Sequence, residues 1–115
     1  MPTVIISSII CEVPQESDKD EIFLMFKSKK IWPKAQKFHK IDVDERAPIN
    51  LKVQVKAKGV LKIELWEYDL TKKNDHLGTF HLKIGNEPGE FSEMLDPYSS
   101  EFSEVSYFLN WKLVL

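Results

Sequence analysis

The feature that most constrains the fold is a two-residue alternation of apolar and charged or polar side chains. It is clearest over residues 61–66, where Lys and Glu separate three aliphatic residues, and it recurs over 51–56, 80–84 and 105–113. A period of two places alternate side chains on opposite faces of a strand, and no segment sustains the 3.6-residue period of an amphipathic helix. The sequence therefore predicts strands with one buried face.

Four further segments are candidate strands. Residues 4–11 and 22–26 are apolar on both faces, while 37–43 and 91–95 carry weaker signals. Proline, glycine and charged turn residues separate all of these segments. Eight short strands at this spacing predict an all-β fold, an eight-stranded antiparallel β-sandwich, and a small closed barrel is the structural alternative.

Composition indicates one globular domain over residues 1–115. The chain has 16 basic and 18 acidic residues, a formal net charge of −2 and 43% hydrophobic residues. This balance argues against nucleic-acid binding driven by net charge. No apolar run approaches the roughly 20 residues of a membrane-spanning helix, and the N-terminus lacks the pattern of a secretion signal. Because a single cysteine, Cys11, allows no internal disulfide, we expect a reducing, cytoplasmic setting.

The sequence predicts a binding protein rather than an enzyme. It contains no glycine-rich phosphate loop, nucleophile elbow or metalloprotease helix. The three histidines lack ligand-like spacing and are expected at the surface. Cys11 lies in an apolar strand and is expected in the core.

The candidate site is an acidic loop after the 61–66 strand. Glu67 and Asp69 continue the parity of the apolar face, so two carboxylates are expected where the strand leaves the core. Five residues then precede Asp75, which can fold back toward them. Converging carboxylates repel unless protons or a cation neutralise them, and Ca²⁺ prefers such oxygen ligands. A solvated hairpin loop is the alternative interpretation.

A second acidic stretch, which includes Asp18 and Asp20, precedes the 22–26 strand. The loops of a sandwich gather at its two ends, so this stretch can lie beside the first acidic loop. Read alone, it too is typical of a solvated loop.

Together the two stretches resemble the C2 domain, the β-sandwich module of many phospholipid-binding proteins. Trp-Glu-Tyr-Asp at 66–69, five residues, Asp75 and Leu-Gly at 77–78 are similar to the family's third calcium loop. Asp20 before the 22–26 strand is similar to the end of its first loop. Glu67 stands where an Asp is usual, and Pro14 falls where an earlier Asp is usual. The resemblance runs from residue 4 to 115.

The resemblance implies an eight-stranded Greek-key sandwich. In it, the final strand at 106–115 corresponds to the strand that opens the family's other circular permutation. It also implies a calcium ion as cofactor, with five carboxylates as ligands: Asp18, Asp20, Glu67, Asp69 and Asp75.

A basic run between Ile22 and Ile41, which contains no acid, resembles the family's lysine-rich concave face that meets anionic lipid. It comprises Lys27, Lys29, Lys30, Lys34, Lys37 and Lys40. Each Lys near an anionic membrane contributes about 1 kcal/mol. Leu70, Lys72 and Lys73, in the third loop, are candidates for the same contact. The alternative is a solvated edge strand that lysines keep from aggregating.

Two functions remain open. The first is a C2-like module, with or without a requirement for calcium, that contacts an anionic membrane surface or another acidic partner. The second is a calcium-independent protein-interaction or assembly module that presents a sheet edge or the Trp32 and Trp66 surface. An acidic segment without a basic residue polarises the chain and suits a protein partner; its acids are Glu87, Glu90, Glu93, Asp96, Glu101 and Glu104.

Overall fold

The computed structural model describes residues 2–16, 18–55 and 58–115. Over these residues the chain forms ten strands and one short 3₁₀ helix, Ser100–Phe102. The strands are β1 (Thr3–Val13), β2 (Asp20–Phe26), β3 (Lys29–Trp32), β4 (His39–Ile41), β5 (Arg46–Gln54), β6 (Gly59–Glu67), β7 (Asp75–Ile84), β8 (Gly89–Met94), β9 (Asp96–Pro97) and β10 (Ser106–Val114). No helix that is long and apolar enough to cross a membrane occurs in this part of the chain.

The strands form two antiparallel sheets. One sheet has the order β5-β1-β10-β8, and the other has the order β3-β2-β6-β7-β9 with β4 also paired to β2. Because β6 occupies one side of β2, both β3 and β4 lie on its other side and follow each other along the sheet edge. The predicted antiparallel sandwich is confirmed, and the closed-barrel alternative is wrong because the strands form two separate sheets.

The alternation predicted the long strands better than the edge strands. The 37–43 candidate is shorter, since only β4 is extended there, and neither β3 nor β9 was predicted. Positive φ angles at Lys27 and Ser28 suit a tight hairpin turn, so β3 forms without an alternating sequence of its own. Pro48 lies within β5, although proline is usually a strand breaker, because β5 is an edge strand. Lys56, predicted to end this strand, lies outside the described residues.

The inward faces of both sheets form one apolar core. Its fully buried side chains include Ile6, Ile63, Phe80 and Leu109. Cys11 is also fully buried, as predicted, and burial raises the pKa of its thiol to about 11. β10 lies between β1 and β8 at the centre of its sheet. Which circular permutation this order represents stays a prediction.

Candidate functional site

Three of the predicted calcium ligands lie at one end of the sandwich on adjacent strands. Asp20 begins β2, Glu67 ends β6 and Asp75 begins β7. Glu67 is paired with Ile22 on one side and with Asp75 on the other. The short loop between β6 and β7 therefore brings carboxylates together from residues far apart in the sequence, and we call this region the acidic end.

Asp20 is fully buried and its carboxylate is held by protein donors. The backbone N–H of Gln15 and the hydroxyl of Tyr107 donate to Oδ2 at 2.8 and 2.5 Å, and the N–H of Glu16 donates to Oδ1 at 3.0 Å. Tyr107 is on β10 in the opposite sheet, so this hydrogen bond crosses the sandwich. Burial and the Asp20 charge raise the pKa of Tyr107, which keeps the phenol a donor.

Glu67 is also buried, with 3% of its surface exposed. Burial is the largest cause, and the nearby Asp20 charge the next, of a rise in its pKa to about 9. The N–H of Glu21 donates to Glu67 Oε2 at 3.3 Å. At neutral pH the Glu67 carboxyl is therefore protonated, and the repulsion within the acidic end is relieved by a proton.

The other three predicted ligands are arranged differently. Asp69 is in the exposed β6–β7 loop, where its Oδ1 accepts bonds from the Thr71 N–H, the Thr71 hydroxyl and the Lys72 N–H. Chiefly the Thr71 N–H holds the pKa of Asp69 below its usual value. Asp75 accepts a bond of 3.4 Å from Gln15 Nε2, and Asp18 is exposed.

These residues do not fit a calcium ion as they stand. Calcium takes six to eight oxygen ligands at short distance. Over residues 2–16, 18–55 and 58–115, no group of three or more His, Cys, Asp or Glu side chains is arranged to hold a metal. Asp20 is satisfied by protein donors, Glu67 by a proton, and Asp69 by its own loop. Tyr107 and Gln15, which complete this network, have no signal in the sequence that marks them.

The lysines predicted to meet a partner lie along the β3 and β4 edge of the larger sheet and in the loop between these strands. We call this surface the lysine edge; it comprises Lys27, Lys29, Lys30, Lys34, Lys37 and Lys40. All six are exposed. None forms an ion pair with a residue of the described chain, where the two pairs are His81–Asp96 and Lys112–Glu90.

A groove of about 550 Å³ adjoins the lysine edge and runs between β3 and β5, the outer strands of the two sheets. Lys30, Lys34 and Lys52 line it together with apolar side chains, among them Ile31 and Leu51. The groove thus combines cationic groups with an apolar lining. Leu70, Lys72 and Lys73 are exposed on the β6–β7 loop, and Leu70 has 84% of its surface exposed.

The two tryptophans singled out in the sequence differ in accessibility. Trp32 is 9% exposed and packs against His39 with 5.2 Å between ring centroids, so its predicted role as an accessible anchor is wrong. Trp66 lies on the outer face of its sheet, as predicted. There it is part of a row of rings across four segments: Phe23, Trp66, His76 and Tyr98.

Comparison with known proteins shows the class of fold. No protein-family model matches the sequence, and no curated protein is significantly similar to it. Among solved structures, a C2 domain of plant extended synaptotagmin 1, the one designated A, superposes with a TM-score of 0.59 at 12% identity, over 97% of this chain and 90% of that one. Another solved C2 domain superposes with a TM-score of 0.53 at 11% identity, over 100% and 99% of the two chains. The chain therefore has the C2 fold.

Proposed function

We propose that this protein is a calcium-independent, C2-like binding module that contacts anionic lipid through the lysine edge. The observation that carries the proposal is a row of six exposed lysines on one sheet edge, without an ion pair among the described residues. Unpaired cations are free to meet lipid phosphates, and the anionic leaflet of a membrane faces the cytoplasm, where we predict this protein to reside.

The energetics favour an electrostatic contact. Each lysine near an anionic surface contributes about 1 kcal/mol, so several acting together suffice for reversible attachment. The apolar side chains of the adjoining groove add contact area beside the charges. The acidic end is already neutralised by protein donors and a proton, which is why we propose that binding needs no metal.

Co-sedimentation with vesicles tests this function. We expect the protein to sediment with vesicles of phosphatidylcholine and 30% phosphatidylserine in the presence of chelator, and not with pure phosphatidylcholine. Binding should be lost at high salt, because exposed charges are screened within a few ångströms there. Binding that requires millimolar calcium would contradict the proposed metal-free mode.

Matched triple variants separate the lysine edge from net charge. Lys29→Gln, Lys30→Gln and Lys34→Gln together should abolish sedimentation. Lys58→Gln, Lys62→Gln and Lys83→Gln remove the same number of exposed charges elsewhere and should leave most of the binding intact. Equal losses in the two variants would show that only net charge matters and that the lysine edge is not the site.

The aromatic row supports a second candidate function, a protein-interaction module. The ring centroids of Trp66 and His76 are 4.7 Å apart, those of His76 and Tyr98 are 4.4 Å apart, and Tyr98 is 65% exposed. Exposed aromatic side chains are enriched at the energetic centres of protein interfaces. Light scattering of the wild type and of Trp66→Ala tests whether this face pairs two copies of the chain. A monomer at all concentrations would rule out that use.

A further inference from the structure

A second groove, of about 710 Å³, lies on the smaller sheet and is separate from both the lysine edge and the acidic end. It forms where β1 shifts register between Ile6 and Ser8 against both of its neighbouring strands. The shift leaves Ser7 without a partner, and Asn50 on β5 has a φ of 52°, in the left-handed region. Such a bulge bends a strand and opens a depression in a sheet face.

Arg46, the single arginine of the chain, is held in position beside this depression. Its Nε donates a hydrogen bond of 3.1 Å to the hydroxyl of Ser8, which also accepts one of 3.0 Å from Asn110 Nδ2. Ser8 is only 1% exposed, so it is a fixed acceptor. Within the described chain the two terminal nitrogens of Arg46 have no hydrogen-bond partner.

The groove offers further donors and a net charge of one. The side chains of Ser7, Asn50 and Ser92 line it. Trp111 also lines it, and its buried indole N–H has no acceptor among the described residues. Lys112 Nζ lies 3.7 Å from Glu90 Oε1, so that pair is neutral overall. Arg46 therefore leaves the groove one positive charge, which matches a monoanion.

We propose that this groove binds a single carboxylate presented by a protein partner, either an acidic side chain or a chain terminus. The fork of a guanidinium matches the two oxygens of a carboxylate, and Ser8 fixes the direction of the fork. An anionic membrane is disfavoured here, because β8 borders the groove and belongs to the 87–104 segment, which has six acids and no basic residue. Ile5 and Pro48 offer apolar contacts beside the carboxylate.

Nuclear magnetic resonance titration of the full chain tests the proposal. The probes are acetate, inorganic phosphate, and acetyl-tetra-alanine with either a free C-terminal carboxylate or a C-terminal amide. The free-carboxylate peptide and acetate should shift the amide signals of Ser7, Ser92 and Asn110 saturably, with millimolar affinity. An amide peptide that titrates equally well would overturn the proposal, as would phosphate binding more tightly than acetate.

Variants locate the binding in the groove. Arg46→Gln should weaken carboxylate binding at least tenfold, and Arg46→Lys should fail to restore it because the fork is lost. Lys83→Gln, on the other sheet, should titrate within twofold of the wild type. Ser8→Ala, which removes the positioning hydroxyl, should weaken binding several-fold. Wild-type affinity in Arg46→Gln would refute the site, and unchanged vesicle binding in that variant would separate this result from the proposed lipid contact.

Discussion

The acidic end and the lysine edge are both dense in charge, but the structure treats them in opposite ways. At the acidic end, Asp20 and Glu67 are buried, and hydrogen bonds and a proton satisfy them. Along the lysine edge, six cations are exposed without an ion pair in the described chain. A buried charge must be satisfied inside the protein, whereas an exposed one stays available to a partner. The comparison predicts that the acidic end serves stability and the lysine edge serves binding.

The largest expected effect on stability is that of Tyr107→Phe. This change removes the hydroxyl that donates to buried Asp20 and leaves a carboxylate oxygen short of a donor. We expect the free energy of unfolding to fall by about 2 kcal/mol, measured by urea denaturation. Tyr98→Phe is the matched control, since Tyr98 is exposed, and should change it by less than about 0.5 kcal/mol. Equal effects would mean that the cross-sheet hydrogen bond contributes nothing.

A smaller effect is expected from Glu67→Gln, and it depends on pH. The pKa of Glu67 is raised from 4.5 to about 9 in the folded protein, so its contribution to stability is fully present below pH 4.5 and is lost as pH rises through 9. The amide resembles the protonated acid and cannot ionise. Near pH 4.5 the variant and the wild type should be equally stable.

At pH 9 the Glu67→Gln variant should be the more stable one by at least about 1.4 kcal/mol, the equivalent of one pKa unit. Urea denaturation at pH 5, 7 and 9 measures the difference. Glu87→Gln, at an exposed site, should show no such pH dependence. A pH-independent difference between Glu67→Gln and the wild type would contradict a protonated Glu67.

The lysine edge should show the reverse behaviour. Replacing Lys29, Lys30 and Lys34 by Gln should change the free energy of unfolding by no more than about 0.5 kcal/mol per site, because exposed side chains without ion pairs contribute little to stability. Vesicle binding should nevertheless be lost. Urea denaturation together with co-sedimentation checks both parts. A large loss of stability would place these lysines in the structure rather than in the binding surface.

The smallest expected effect is that of calcium on the melting temperature. A ligand at about 100 times its dissociation constant stabilises a protein by about 2.7 kcal/mol, which raises the melting temperature of a domain of this size by several degrees. Because the acidic end does not fit the ion, we expect no difference between chelator and millimolar calcium. Magnesium serves as the control for ionic strength. A rise specific to calcium would show that the acidic end rearranges to bind it.

Much of the fold followed from local patterns, whereas the state of the site did not. The alternation around Ile63 predicted β6 and its buried face, and the parity of Glu67 correctly placed it at the end of that face. No pattern indicated that Glu67 is buried and protonated. That state depends on Asp20, which is 47 residues earlier in the chain. β3 was also missed, because pairing with β2 rather than its own sequence makes it a strand.

By itself, the sequence determined the strands, the sandwich and the separation of acidic from basic segments, because side-chain period and turn residues act over a few neighbouring positions. Only the tertiary structure decided which charges are used internally. Tyr107 reaches Asp20 across 87 residues of sequence, and Arg46 reaches Ser8 across 38. Whether a polar group is satisfied depends on burial and on partners from distant strands, and these exist only once the two sheets have packed together.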